Sequence, residues 1–146
     1  MKVLEVFAPL FGHWQGSEEQ CSSRWGPATT ARSALSFRAD VGGAAMVSDY
    51  RQVRADGSEF YAHGVFLVDD ALQVSCWLFD SYGYPPGPLL GGWVAKELVL
   101  TKSTERGTAT HRFLLDGEDL RYAIDFATGE QLEPFLRGRY RAVSAH

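Results

Sequence analysis

For most of its length the chain alternates apolar and polar residues with a period of two, the repeat of a strand whose faces meet different surroundings. From residue 14 onward, runs of roughly eight to twelve residues follow one another, rich in Val, Leu, Phe, Tyr, Trp and Thr and divided by short turn signals. The runs span 14–25, 29–40, 45–54, 59–68, 72–80, 93–102, 108–115, 119–127 and 131–143. Gly26-Pro27, Gly42-Gly43, Asp69-Asp70, Asp116-Gly117 and Thr128-Gly129 close several of them. Asp56-Gly57 is a hairpin dipeptide whose residues tolerate positive φ. Between 81 and 88 lies a Pro/Gly-rich loop that cannot carry ladder hydrogen bonds. The first dozen residues are too short and interrupted for a long helix and predict a single turn or a 3₁₀ piece ending at Gly12.

No amphipathic helix interrupts the strands, so the expected fold is all-β, an antiparallel meander of about nine to ten strands. A meander of that length closes on itself, because an open sheet leaves two unpaired edges. The expected architecture is a closed barrel over residues 1–146, one domain, with the N-terminal turn plugging an end. Which face of each strand points inward is left open by parity. In the run 72–79 one face is aliphatic and the other carries Gln73, Ser75, Trp77 and Phe79, a mixture that suits a cavity wall as well as a surface.

Composition narrows the class. With 45% hydrophobic and 22% charged residues in 146, the chain can bury a core without staples. The net charge of −4 and the scattered Lys and Arg, with no run beyond the alternating Arg137, Arg139 and Arg141, exclude a nucleic-acid footprint. No segment reads as a membrane span or a secretory signal, and Cys21 and Cys76 read as two incidental thiols, so the expected location is the cytoplasm. Four Trp, nine Phe and six Tyr suit a sheet-built interior or a cavity with flat walls.

The opening Phe11-Gly12-His13-Trp14-Gln15-Gly16 resembles the Gly-x-Trp start of lipocalins and their calycin relatives. That resemblance implies that Trp14 caps the barrel end with an Arg of the last strand packed over its indole, Arg139 being the preferred partner. Val41-Gly42-Gly43, Asp49-Tyr50, Asp56-Gly57, Gly64 and the stretch from Trp77 to Gly83 resemble a bacterial calycin-like family known as a domain of unknown function. The stretches 120–127 and 132–136 are similar to the end of nitrobindins, ten-stranded barrels that bind ferric haem through a histidine. Phe135 stands at the position of that histidine, which argues against haem, and no other cofactor is expected. Gly26-Pro27 leaves no room for the helical pair of fatty-acid-binding proteins.

The candidate residues for a cavity are Tyr61, His63, Trp77, Phe79, Tyr82, Arg112 and Tyr122. His63 shares a face with Tyr61 and Val65; it reads as a ligand-contacting imidazole or, more plainly, as a surface histidine on an alternating strand. Trp77, Phe79 and Tyr82 read as cavity wall and mouth or as core. Arg112 and Tyr122, on neighbouring strands, would meet a polar head group if they faced inward. The loop 82–92 reads as a lid or as a rigid connection. His13 and His111 are weaker candidates and His146 is terminal; no spacing of His, Cys, Asp or Glu makes a metal motif. No catalytic constellation stands out, Gly-x-Ser-x-Gly being absent, and the chain reads as a binding protein rather than an enzyme. The expected function is intracellular binding of a small, mainly apolar molecule, with no nucleic acid or membrane partner. The other readings are a haem-binding barrel, a cavity isomerase or cyclase, and a filled structural barrel, with pairing of exposed edges into a homodimer left open.

Overall fold

The computed structural model describes residues 2–24 and 26–144, so Trp25 and His146 lie outside the described residues. Ten antiparallel strands form one closed barrel: β1 (Gly12–Gln20), β2 (Thr29–Asp40), β3 (Ala45–Arg54), β4 (Glu59–Val68), β5 (Val74–Asp80), β6 (Leu89–Val94), β7 (Glu97–Thr104), β8 (Gly107–Asp116), β9 (Asp119–Thr128) and β10 (Gln131–Val143). Each strand pairs with its neighbours in sequence, and β1 pairs with β10 to complete the ring. Closure removes the free edges through which a homodimer had been considered.

The run 93–102 is two strands, not one. Ala95 and Lys96 form a two-residue turn between the paired Val94 and Glu97, with Ala95 at φ 55°. No Gly, Asn or Asp marks this turn, so it has no local signal in the chain. β5 and β6 pair only over Val74–Cys76 and Leu89–Gly91. Beyond that point the Pro/Gly loop takes the place of a strand, with the Leu78 amide donating to the Pro86 carbonyl at 2.7 Å.

The N-terminus builds more than one turn: α1 (Lys2–Phe7) runs into a 3₁₀ turn, Ala8–Leu10. Val3, Phe7 and Leu10 fall on one side at spacings of four and three, and all three are buried. Phe7 meets Phe66 edge-on with ring centroids 6.0 Å apart, and Phe66 in turn contacts Phe37 and Phe113. The helix therefore stoppers one end of the barrel with aromatic and aliphatic side chains. Burial of a side chain such as Phe7 contributes roughly 1.5–3 kcal/mol. No helix among the described residues is long and apolar enough to cross a membrane.

Trp14 points into this closed end, where its indole Nε1–H donates to the Leu10 carbonyl at 2.9 Å. The expected Trp14–Arg139 pair does not form. In the β1–β10 register Gly16 stands opposite Tyr140 and Ser17 opposite Arg139, which places Arg139 on the outer face while Trp14 and Tyr140 point inward. Arg139 instead reaches Asp119 at 3.3 Å and Asp116 at 3.8 Å.

Candidate functional site

The end of the barrel away from the helix is open, and a cavity of about 650 Å³ runs into it. That volume lies within the range of small-molecule sites. Ten strands enclose a wider ring than the eight whose side chains can just fill it, so a hollow interior follows from the strand count. The walls are largely apolar: Leu35, Phe66, Leu78, Leu100, Phe113 and Ile124. A β-bulge between Pro134 and Leu136 adds a residue to β10, so that Phe135 and Leu136 both line the cavity. Loop residues Tyr82, Tyr84, Pro85 and Pro86 form one side of the mouth. Phe60 and Tyr82 pack with centroids 4.9 Å apart, and the Lys102 ammonium donates to the Pro85 carbonyl at 2.9 Å.

Two polar groupings interrupt the apolar wall. Glu18 of β1 is almost fully buried, and its carboxylate accepts hydrogen bonds from Ser33, Tyr50, Gln52 and Tyr140. Gly138 makes room for this cluster: a Cβ there would lie 2.7 Å from the Tyr140 hydroxyl and 3.1 Å from Glu18 Cγ. Burial, reinforced by the Glu18 charge, pushes the Tyr50 and Tyr140 phenols well above their ordinary range, so both act as O–H donors. The cluster continues toward the mouth, as Arg54 Nε donates to Gln52 Oε1 at 3.0 Å and Arg54 Nη2 to the Tyr82 hydroxyl at 2.5 Å.

The second grouping is His111 with Tyr122, Nδ1 to Oη 2.6 Å. Tyr122 stacks on Phe113 with centroids 4.5 Å apart. Burial lowers the His111 pKa to about 4 and raises that of Tyr122, so both are neutral at pH 7. Cys76 also lines the cavity, its thiol pushed up to about 12 by burial and therefore a poor nucleophile.

Of the seven residues expected at a cavity, Tyr122 lines the interior and Tyr82 stands at the mouth. The other five are corrected to the outer face. Tyr61 and His63 alternate with the inward Phe60, Ala62 and Phe66, and His63 Nδ1 lies 2.8 Å from Asp49 on the outside of β3. Trp77 and Phe79 alternate with the inward Cys76 and Leu78. Arg112 pairs with Glu97 at 3.2 Å, beside the inward His111 and Phe113. Tyr61, His63 and Phe79 border a separate depression on the outer surface, also touched by His13. The groups the sequence reading passed over are Tyr50, Gln52, Arg54 and Lys102, and His111, ranked there as a weaker candidate, faces the interior. A cross-strand signal did exist: Asp49 stands opposite His63 and Arg51 opposite Tyr61, beside Glu59, a row of complementary charges that marks the solvent face. Among the described residues no group of three His, Cys, Asp or Glu side chains could hold a metal ion. The loop 82–92 ends earlier than expected, since Leu89 begins β6 and Trp93 packs against the core.

No family model matches the chain, and no curated protein matches it. Solved structures do share its fold. The crystal structure of Rv2717c from M. tuberculosis is similar with a TM-score of 0.81 and 19% identity, over 99% of each chain. The S-type phycobiliprotein lyase CPES from Guillardia theta is similar with a TM-score of 0.66 and 12% identity, over 100% of this chain and 95% of that one. EF1p2_mFAP2b bound to DFHBI gives a TM-score of 0.52 at 11% identity, over 94% of this chain and 97% of that one. At these identities the likeness is one of fold.

Proposed function

We propose that this chain is an intracellular, calycin-like carrier that holds one small, mainly apolar molecule inside its barrel. The observation that carries the reading is the cavity of about 650 Å³, stoppered by α1 at one end and open at the other, with mostly apolar walls. One structure of the same fold is solved with a small molecule, DFHBI, bound. Both cysteines are free thiols, in keeping with a reducing compartment. The polar groups inside favour binding over catalysis: four donors occupy the Glu18 carboxylate, and the Cys76 thiol stays protonated at pH 7.

The residues present do not fit a haem carrier. Phe135 brings a phenyl ring to the cavity where the nitrobindin resemblance would want an imidazole. Among the described residues His111 is the histidine that lines the cavity, on β8 rather than at the β10 position of Phe135, and its Nδ1 is engaged by the Tyr122 hydroxyl.

The test is binding of the neutral fluorophore N-phenylnaphthylamine by the wild type and by Ala62→Trp, which places an indole in the cavity. A bright, saturable signal from the wild type and its loss from a folded Ala62→Trp protein is the expected result. Equal signals from both would place the probe elsewhere and remove the carrier reading. A native mass spectrum of freshly purified protein would name a retained ligand by its mass.

A further inference from the structure

Two cations at the mouth of the cavity form hydrogen bonds only with neutral groups, although the Asp56 carboxylate lies near enough to feel the charge of Arg54. Arg54, the last residue of β3, lies half-buried against Phe60 and Tyr82, its guanidinium carbon 5.6 and 5.7 Å from their ring centroids. It donates to the Gln52 amide oxygen and the Tyr82 hydroxyl, and among the described residues no carboxylate comes within ion-pair distance of it. Lys102 of β7, also half-buried, donates to the Pro85 carbonyl, and among the described residues it too has no ion-pair partner. On the outer face several arginines are matched to carboxylates, as Arg51 is to Glu59 and Arg137 to Asp125.

The two cations grip one short stretch of loop, Tyr82 at one end and Pro85 at the other. Both side chains line the same cavity, on the side where Tyr82 and Pro85 border it. Two carboxylates also line it. Asp56 accepts from the amide and hydroxyl of Ser58 at 2.8 and 2.6 Å, and Asp80 accepts from the amides of Tyr82 and Gly83 at 2.9 and 3.0 Å. Both are held by the turns they belong to. Arg54 and Lys102 keep uncommitted N–H donors: a guanidinium has five and an ammonium three. A half-buried cation held by neutral oxygens gains most from an anion that arrives with its own apolar body, since that body excludes water from the same opening.

We infer that the ligand is amphipathic, with its apolar part inside the barrel and a carboxylate, sulfonate or phosphate group held by Arg54 and Lys102 at the mouth. This rests on the carrier reading of the cavity. A neutral polar end would leave the two cations without a charge partner.

Two probes of one scaffold test it. N-phenylnaphthylamine is neutral, and anilinonaphthalene sulfonate adds a sulfonate to the same rings. The wild type should hold the sulfonate about tenfold more tightly than the neutral probe at low salt, since a charge-assisted hydrogen bond forms only with the sulfonate. The double variant Arg54→Gln/Lys102→Gln should lose that preference, its sulfonate affinity falling about tenfold toward that of the neutral probe, and added salt should erode the preference in the wild type alone. Equal sulfonate affinity in wild type and double variant overturns the inference and leaves the carrier reading intact. Loss of both probes from the folded double variant also overturns it, because the side chains would then be shaping the cavity rather than reading charge. Failure of the wild type to bind the neutral probe removes the carrier reading and this inference with it.

Discussion

The Tyr122 hydroxyl lies 2.6 Å from Nδ1 of His111 inside the barrel, a neutral pair formed between the inward faces of β8 and β9. His111 retains some accessible surface because the cavity, not bulk solvent, touches its other edge. Burial holds its pKa near 4, below the ordinary 6.5, so the folded protein refuses a proton that the unfolded chain accepts. Stability from this group is present above about pH 6.5 and is lost as pH falls toward 4, at about 1.4 kcal/mol per pH unit. Urea titrations at pH 7 and pH 4.5 should therefore show a drop in the wild type that is smaller in His111→Asn. In wild-type NMR spectra the His111 Hε1 resonance should stay at its neutral position down to below pH 5. Equal drops in the two proteins would assign the acid sensitivity to another group.

Glu18 gathers Ser33, Tyr50, Gln52 and Tyr140 around one carboxylate. Glu18→Ala strands four buried donors and should cost about 3–5 kcal/mol, whereas Tyr140→Phe removes one hydrogen bond and should cost about 1–2 kcal/mol. Denaturant midpoints would separate the two, and a Glu18→Ala loss no larger than that of Tyr140→Phe would show that the network is not shared.

Phe7 is fully buried between α1 and the aromatic cluster at the closed end. Phe7→Ala should cost about 3–5 kcal/mol and speed amide exchange in α1 before the strands. If exchange in α1 were unaffected, the helix would be held by contacts other than this ring.

His63 and Arg112 face outward, His63 to Asp49 and Arg112 to Glu97. His63→Ala and Arg112→Ala should each leave neutral-probe affinity unchanged and shift stability by no more than about 1 kcal/mol. Loss of probe binding in either would return that residue to the cavity.

Gly16 of β1 has no space for a side chain, since a Cβ there would lie 1.9 Å from the Arg139 carbonyl oxygen of β10. Gly16→Ala should destabilise the seam that closes the ring by about 1–3 kcal/mol, more if the register shifts. A neutral effect on the melting temperature would mean that β1 and β10 separate there at little cost.

The ladder is written in the local pattern of the chain. Period-two alternation and the turn residues marked the runs 45–54, 59–68 and 131–143 at the bounds the strands adopt, because strand pairing and hairpin geometry are local matters. They missed the Ala95-Lys96 turn, where neighbouring strands hold a residue at positive φ that its own chemistry does not favour. Tertiary structure decided the site. Shifting the assignment of a strand's faces by one residue exchanges cavity for solvent, and both faces of this barrel carry polar groups. Outside, Asp49, Arg51, Glu59 and His63 satisfy one another across strands. Inside, Glu18, Tyr50 and Gln52 are polar because they share hydrogen bonds across the ring, between strands far apart in sequence. Only closure of β1 onto β10 brings Tyr140 to Glu18, and only the fold of the Pro/Gly loop brings Tyr82 to Arg54, so neither contact has a local signature.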